Sequence, residues 1–229
     1  PTLGVAPRAL LVVSAHWEEA VFTLNTNAAP GLLFDYYGFP PHTYELQWPA
    51  PGAPELAVEV AALLDQAGMA VATDNQRGLD HGVFVPLKLV CPQADIPVLQ
   101  LSLQADMDAA GHIALGKALA PLREQGVLII GSGMSFHNIP LMRSNLAHSS
   151  PAALAFDQWL AEIVVLPEAQ RNQALTHWRQ APGARLAHPD AEHLLPLHVV
   201  AGAAGRDPGV CAFRDVAMGV PLAGYVFAG

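Results

Sequence analysis

The stretch ALLVVSAHW, residues 9–17, constrains the fold of this chain more than any other feature. An apolar, β-branched run of this length, with helical patterns further along, reads as an interior strand of a parallel sheet, buried on both faces. In open sheets of that kind ligands sit beyond the carboxyl ends of the strands, and His16 falls at such an end. Further strand-like runs follow at 69–73, 96–103 and 127–131 and in the closing VPLAGYVFAG. Between them lie helical patterns: PELAVEVAALLDQAG, with Pro54 early and Gly68 as its stop, and AAGHIALGKALAPLREQG, closed by Gly126. Residues 150–180 read as two helices, the second restarted by Pro167, and another apolar helix covers 192–204. The alternation predicts an α/β sandwich, a central, largely parallel or mixed sheet flanked by helices, in a single domain over 1–229.

Charge narrows the class of ligand. The formal net charge is −9, with only 11 Lys and Arg and no basic cluster, which argues against nucleic acid or an anionic membrane surface as a partner. The ligand is expected to be small and neutral, or held by a metal. Cys91 and Cys211 have no metal-like spacing and suit packed, reduced thiols of a cytoplasmic protein. No apolar run reaches the length of a membrane span and no signal-peptide pattern is visible. The chain opens on PTLGVAP rather than Met, so residues ahead of Pro1 are expected to have been lost or left out.

Ten histidines against 11 Lys and Arg make metal chemistry worth testing, because histidine is the commonest metal ligand and titrates near neutrality. His16 follows the first strand, and His137, in LIIGSGMSFHN, follows another, with Gly131 and Gly133 letting the backbone turn sharply. His81, in RGLDHGVFVPL, enters an apolar helix or strand, and the plain reading there is a turn with Asp80 as a helix cap. Glu192 and His193, in HPDAEHLLPLHVV, lie at a helix start, where a carboxylate is ordinarily a capping or dipole effect. His193 and His198 are five apart, so at most one of them joins a site with Glu192. His42, His112, His148, His177 and His188 read as solvated or lining residues of loops and helix surfaces. The glycines near 131 form no dinucleotide fingerprint, since Phe136 stands where the third glycine belongs, and no nucleophile elbow. The long segment 25–53 is rich in Pro, Gly and aromatics, and its reading is divided between an ordered pocket wall and a surface loop packed by its own rings.

Taken together, SAHW, FDYYGFP, WPAPGAPELA, RGLDHG, ADIPVLQLSL, GSGMSFHN and EHLLPL resemble the class III extradiol ring-cleaving dioxygenases (LigB-like), in the 4,5-DOPA dioxygenase branch. The resemblance runs in order from about Arg8 to the C-terminus. It implies a catalytic domain binding one non-haem Fe(II), or zinc as purified in some members, that uses O2 to open a small aromatic diol such as a 3,4-dihydroxyphenyl compound next to its hydroxyls. It implies that His16 is a metal ligand and that Glu192 or His193 supplies another. His137 is implied as the acid/base histidine, able to ligate in a resting form, and His81 as the second histidine of the site, in contact with substrate. Phe34, Tyr36, Tyr37 and Phe39 would wall the ring. Two imidazoles and one carboxylate suit a non-haem oxygenase, and a neutral histidine can take a catechol proton and return it. The family's first metal-binding histidine lies in an N-terminal HGSP-like loop after an earlier strand, and nothing between Pro1 and His16 replaces it. The expectation is therefore a domain lacking that strand and loop as given, with the segment omitted ahead of Pro1. Two rival readings use the same residues: a zinc-dependent hydrolase, in which zinc activates water, and a non-catalytic binding protein on the same fold.

Overall fold

The computed structural model describes residues 6–144 and 150–228, which pack as two compact units discontinuous in sequence. The first unit holds residues 6–106 and 121–132, the second 107–120, 133–144 and 150–228.

The first unit is built on the strand that ALLVVSAHW announced. Strand β1 (Ala9–Glu19) is the longest, and Leu10, Leu11, Val12 and Val13 are all buried, as a strand covered on both faces requires. Around it stand β2 (Phe22–Asn25), β3 (Val71–Asp74), β4 (Val98–Gln104) and β5 (Val127–Ser132), in the spatial order β3-β2-β4-β1-β5. The pairs β1–β4, β1–β5 and β2–β3 are parallel and β2–β4 is antiparallel, so the sheet is mixed. Helices α1 (Pro54–Gln66) and α2 (His81–Val90) pack against it. α1 opens with Pro54 in its first turn, where the missing N–H costs nothing. Leu10 and Val12 meet Val83, Phe84 and Leu87 of α2, with Trp48 and Leu79 completing that core and Phe34 and Tyr36 against its edge. Each such aliphatic side chain contributes on the order of 2 kcal/mol by leaving water.

β1 does not stop at its histidine. It leaves the β4 ladder after Val13 and rejoins it at Glu18, while its pairing with β5 ends at Ser14. The residues between form a bulge, and His16 sits in it rather than beyond the strand end. Bulges of this kind re-aim side chains and gather near active sites.

The second unit is mainly helical: α3 (Ala109–Leu119), α4 (Ile139–Met142), α5 (Pro151–Val164), α6 (Glu168–Thr176), α7 (Ala184–Ala187) and α8 (Leu195–Ala204), followed by the hairpin β6 (Gly209–Ala217) and β7 (Val220–Phe227). α3 packs on α8, and β7 packs on α5. The final helix starts at Leu195, not 192, because residues 191–194 form a turn. Arg171, fully buried, donates to the carbonyls of Ala201, Gly205 and Asp207 and so closes the C-terminal end of α8. Cys91 is half-buried against the first unit's core, but Cys211 is exposed on β6, contrary to its reading as a packed thiol; both are free. Among the described residues no helix is long and apolar enough to cross a membrane.

Candidate active site

In the first unit, His16, Asp35 and His81 offer ligand atoms within 4.8 Å of one another. The His16 and His81 rings lie with centroids 3.9 Å apart. His81 is the first residue of α2, and its backbone N–H and ring Nδ1 both meet Asp35 Oδ1, at 3.0 and 2.7 Å. Burial pushes the Asp35 carboxyl up, but the hydrogen bonds and charge of His81 together outweigh it and hold the group below its ordinary value.

Asp80 is not the cap that its position suggested. It occupies the N-cap position of α2, yet its side chain makes no capping bond there. The buried carboxylate accepts from Ser14 Oγ at 2.8 Å and from Gln100 Nε2, with Arg77 3.5 Å away. Burial raises its pKa, and the neighbouring Asp35 charge adds to that. Ser14 Oγ also accepts the His16 backbone N–H, so one buried network ties the bulge of β1 to the start of α2. Pro86 adds a further tie. It lacks the N–H that the Gly82 carbonyl would receive in a regular helix, and Ser132 Oγ donates to that carbonyl instead, at 2.6 Å. Gly82 itself is needed for fit, since a Cβ there would stand 2.7 Å from His16 Cδ2.

The aromatic segment is packed by its own rings and against α2. Tyr36 stands edge-on to His81 at 5.6 Å and close to Tyr44 and Phe39, and Phe34 packs on Phe84. The Tyr36 hydroxyl is already spent on the Thr43 carbonyl. Tyr37, in contrast, is 92% exposed and Phe39 56%.

In the second unit, His137, Glu192 and His193 offer ligand atoms within 4.8 Å of one another. The two imidazoles are stacked at 3.3 Å, and Glu192 Oε1 meets His137 Nδ1 at 3.1 Å and His193 Nδ1 at 2.9 Å. Hydrogen bonds from these two histidines are the main reason why the Glu192 carboxyl lies far below its ordinary value. The carboxylate is thus engaged by side chains, and its expected helix-capping role is not seen. A Cβ on Gly133 would come within 2.2 Å of the His193 carbonyl, which takes the Met134 N–H, so only glycine lets the loop after β5 run against this turn. Residues 186–188 hold the same loop: His137 N–H bonds to the Ala187 carbonyl, Asn138 Nδ2 to that of Leu186, and His188 Nε2 to that of Ser135.

Two histidines read as solvated or lining are core groups. His112 is buried with Nδ1 on the Asp108 carbonyl, and His188 is buried against Phe156 and Trp178, with burial lowering its pKa to about 4. His198, on α8, is buried between the carbonyls of Leu194 and Leu175 and is likewise lowered by burial to about 4. His42 and His177 are exposed, and His148 lies outside the described residues. Sequence reasoning missed Asp35, Ser14, Gln100 and Ser132 as supports. Only Asp35 carried a signal, through its place in FDYYGFP.

Each unit thus carries a histidine–carboxylate cluster whose donor atoms suit a first-row metal ion. The family model described as the catalytic LigB subunit of aromatic ring-opening dioxygenase matches residues 2–228. The chain belongs to this family, and it is an extradiol ring-cleaving dioxygenase. It is 45% identical to a 4,5-DOPA dioxygenase extradiol of Beta vulgaris, over 88% of this chain and 75% of that protein. It is 41% identical to the dioxygenase tasH of Hapsidospora irregularis, over 97% of this chain and 72% of that protein. An uncharacterized protein of Escherichia coli K12 has a crystal structure that matches with a TM-score of 0.80 at 30% identity, over 96% of this chain and 86% of that one.

Proposed function

We propose that this chain opens the ring of a catechol, a 3,4-dihydroxyphenyl compound such as DOPA, next to the diol, with a non-haem metal and dioxygen. The observation that carries the reading is the His137–Glu192–His193 cluster inside a chain that matches the dioxygenase family almost end to end. Its donor set fits a first-row metal, because imidazole nitrogens and a carboxylate converge within a few ångströms and no thiolate is present. We assign metal-ligand roles to His16 and to Glu192 or His193. Of that pair the geometry favours His193. A carboxylate only accepts, so Glu192 Oε1 takes an N–H from Nδ1 of each stacked ring, which in a neutral imidazole puts the lone pair that a metal needs on Nε2. A carboxylate behind a ligating imidazole is the usual support of such a ligand. Fe(II) would supply a Lewis acid for the diol and a redox-active centre through which electrons from the catechol reach dioxygen, whereas zinc, if held in the purified protein, would supply only the first.

The remaining steps belong to the protein. His137 removes the second catechol proton at Nε2 and returns it as the ring opens, with Glu192 stabilising the charged ring in between. His81 meets the substrate, and Phe34, Tyr36, Tyr37 and Phe39 line the ring, with Phe34 and Tyr36 held most firmly. The small neutral ligand and acidic chain suit a protein of the cytoplasm without nucleic-acid or membrane partners. Product analysis with labelled dioxygen tests the assignment. Ring-opened product carrying both labelled atoms is expected from Fe(II)-loaded protein and DOPA or a simpler catechol; a product labelled only from water would contradict it.

A further inference from the structure

We propose that Asp35 is a positioning residue for His81: its carboxylate selects the imidazole tautomer with the proton on Nδ1 and so presents Nε2 as the acceptor for a catechol hydroxyl. This rests on the reading above, in which His81 meets the substrate.

The argument starts from what holds Asp35. Its segment is stitched to the chain just before α2 by the Leu33 N–H on the Leu79 carbonyl, 2.7 Å, and the Leu79 N–H on the Gly31 carbonyl, 2.8 Å. The position of residue 35 is therefore set by backbone pairing and does not depend on its own side chain. The carboxylate then lies at the N-terminus of α2, where Oδ1 takes the His81 N–H, one of the donors that a helix start leaves free. That bond fixes the carboxylate before the ring is considered. The same oxygen stands 2.7 Å from His81 Nδ1. Because an ionised carboxylate has no proton to give, the bond requires hydrogen on Nδ1, and a neutral imidazole then has a bare Nε2. Ring contacts from His16 and Tyr36 restrict rotation of the imidazole, but they do not choose between its two nitrogens. Asp35 does.

The test reads the tautomer directly by long-range 1H–15N correlation on the metal-free full chain, with His81→Gln identifying the signal. In the wild type, Nδ1 of His81 is expected in the protonated range and Nε2 in the unprotonated range. Asp35→Ala is expected to shift the pair toward the opposite tautomer, and Asp35→Asn, which keeps an acceptor without the charge, to fall between. In Fe(II)-loaded protein, Asp35→Ala should lower kcat by about 10- to 100-fold at unchanged iron content, with KM less affected and Asp35→Asn partly restoring the rate. An unprotonated Nδ1 in the wild type, or a tautomer and kcat indifferent to Asp35→Ala, would overturn the proposal. Iron content falling in step with activity would also overturn it, since Asp35 would then be a ligand. Should Asp35→Ala not fold, Asp35→Asn decides on the same readouts. Wild-type protein that consumes no oxygen with any catechol would defeat the function proposed above, while the tautomer of the metal-free chain would still decide this inference.

Discussion

In the first unit one carboxylate oxygen, Asp35 Oδ1, meets a single histidine twice, at its ring and at its backbone; in the second, Glu192 Oε1 meets two histidines once each. The first arrangement fixes one imidazole in orientation. The second gathers two imidazoles on one oxygen. Electrostatics separate them too: burial is the largest single influence on Asp35 and is outweighed by the combined bonds and charge of His81, whereas the bonds from two histidines dominate Glu192. The same residue types therefore serve different tasks, and the number of histidines that each carboxylate oxygen engages, one for Asp35 and two for Glu192, distinguishes them.

The largest effect expected on this contrast is at His137. His137→Ala should reduce kcat by about 10²- to 10⁴-fold, the usual share of a general base, while part of the iron stays bound. His16→Ala should instead strip the metal first. Iron analysis beside turnover checks both, and stoichiometric iron in His16→Ala would remove that residue from the ligand set.

The two glycines sharpen the comparison. A methyl at Gly133 meets a backbone oxygen at 2.2 Å, whereas at Gly82 the nearest atoms belong to the side chains of His16 and Ser14. Gly133→Ala should cost about 1–3 kcal/mol by chemical denaturation and weaken iron binding, and Gly82→Ala should cost less stability because a side chain can yield. Equal losses would mean that backbone contact is not what sets the second cluster.

Two buried histidines give a protonation test in the second unit. His188 and His198 are neutral in the fold, with pKa values lowered by burial to about 4. The unfolded chain binds protons from about pH 6.5 downward, so metal-free stability is full above that value and is lost as pH falls toward 4, by up to about 1.4 kcal/mol per unit for each group. Denaturation midpoints at pH 7.5 and 5 check the sign, and His198→Gln should flatten the slope. The smallest effect belongs to Tyr37→Ala, expected within about 0.5 kcal/mol of wild type in stability because the ring is almost wholly exposed, whereas Phe34→Ala, packed on Phe84, should cost more.

Most of the sheet was legible because β1, β4 and β5 are apolar runs, and buried strands advertise themselves by composition. β2 was not, since four residues beside a Pro- and Gly-rich segment carry little pattern. β6 was missed as well: its residues are largely exposed, and its tight turn is made by Met218 and Gly219, both with positive φ, rather than by the usual Asn-Gly. At the candidate site, His16, His81, His137, Glu192 and His193 could be named because they stand in SAHW, RGLDHG, GSGMSFHN and EHLLPL, stretches that carry the family resemblance. Their supports could not. Asp35 reaches His81 across 46 residues, and Ser14 and Gln100 reach Asp80 across 66 and 20, separations at which local pattern says nothing. The bulge that places His16 within β1 was equally hidden, because it is a property of the β4 register and not of β1 alone.

The most direct measurement is oxygen consumption by protein reconstituted anaerobically with Fe(II) and mixed with DOPA and a panel of simpler catechols, with the visible spectrum recorded throughout. The account predicts oxygen uptake matched to catechol loss, with a new yellow chromophore from the opened ring. Iron demonstrably bound, with no uptake and no chromophore for any catechol, would contradict it.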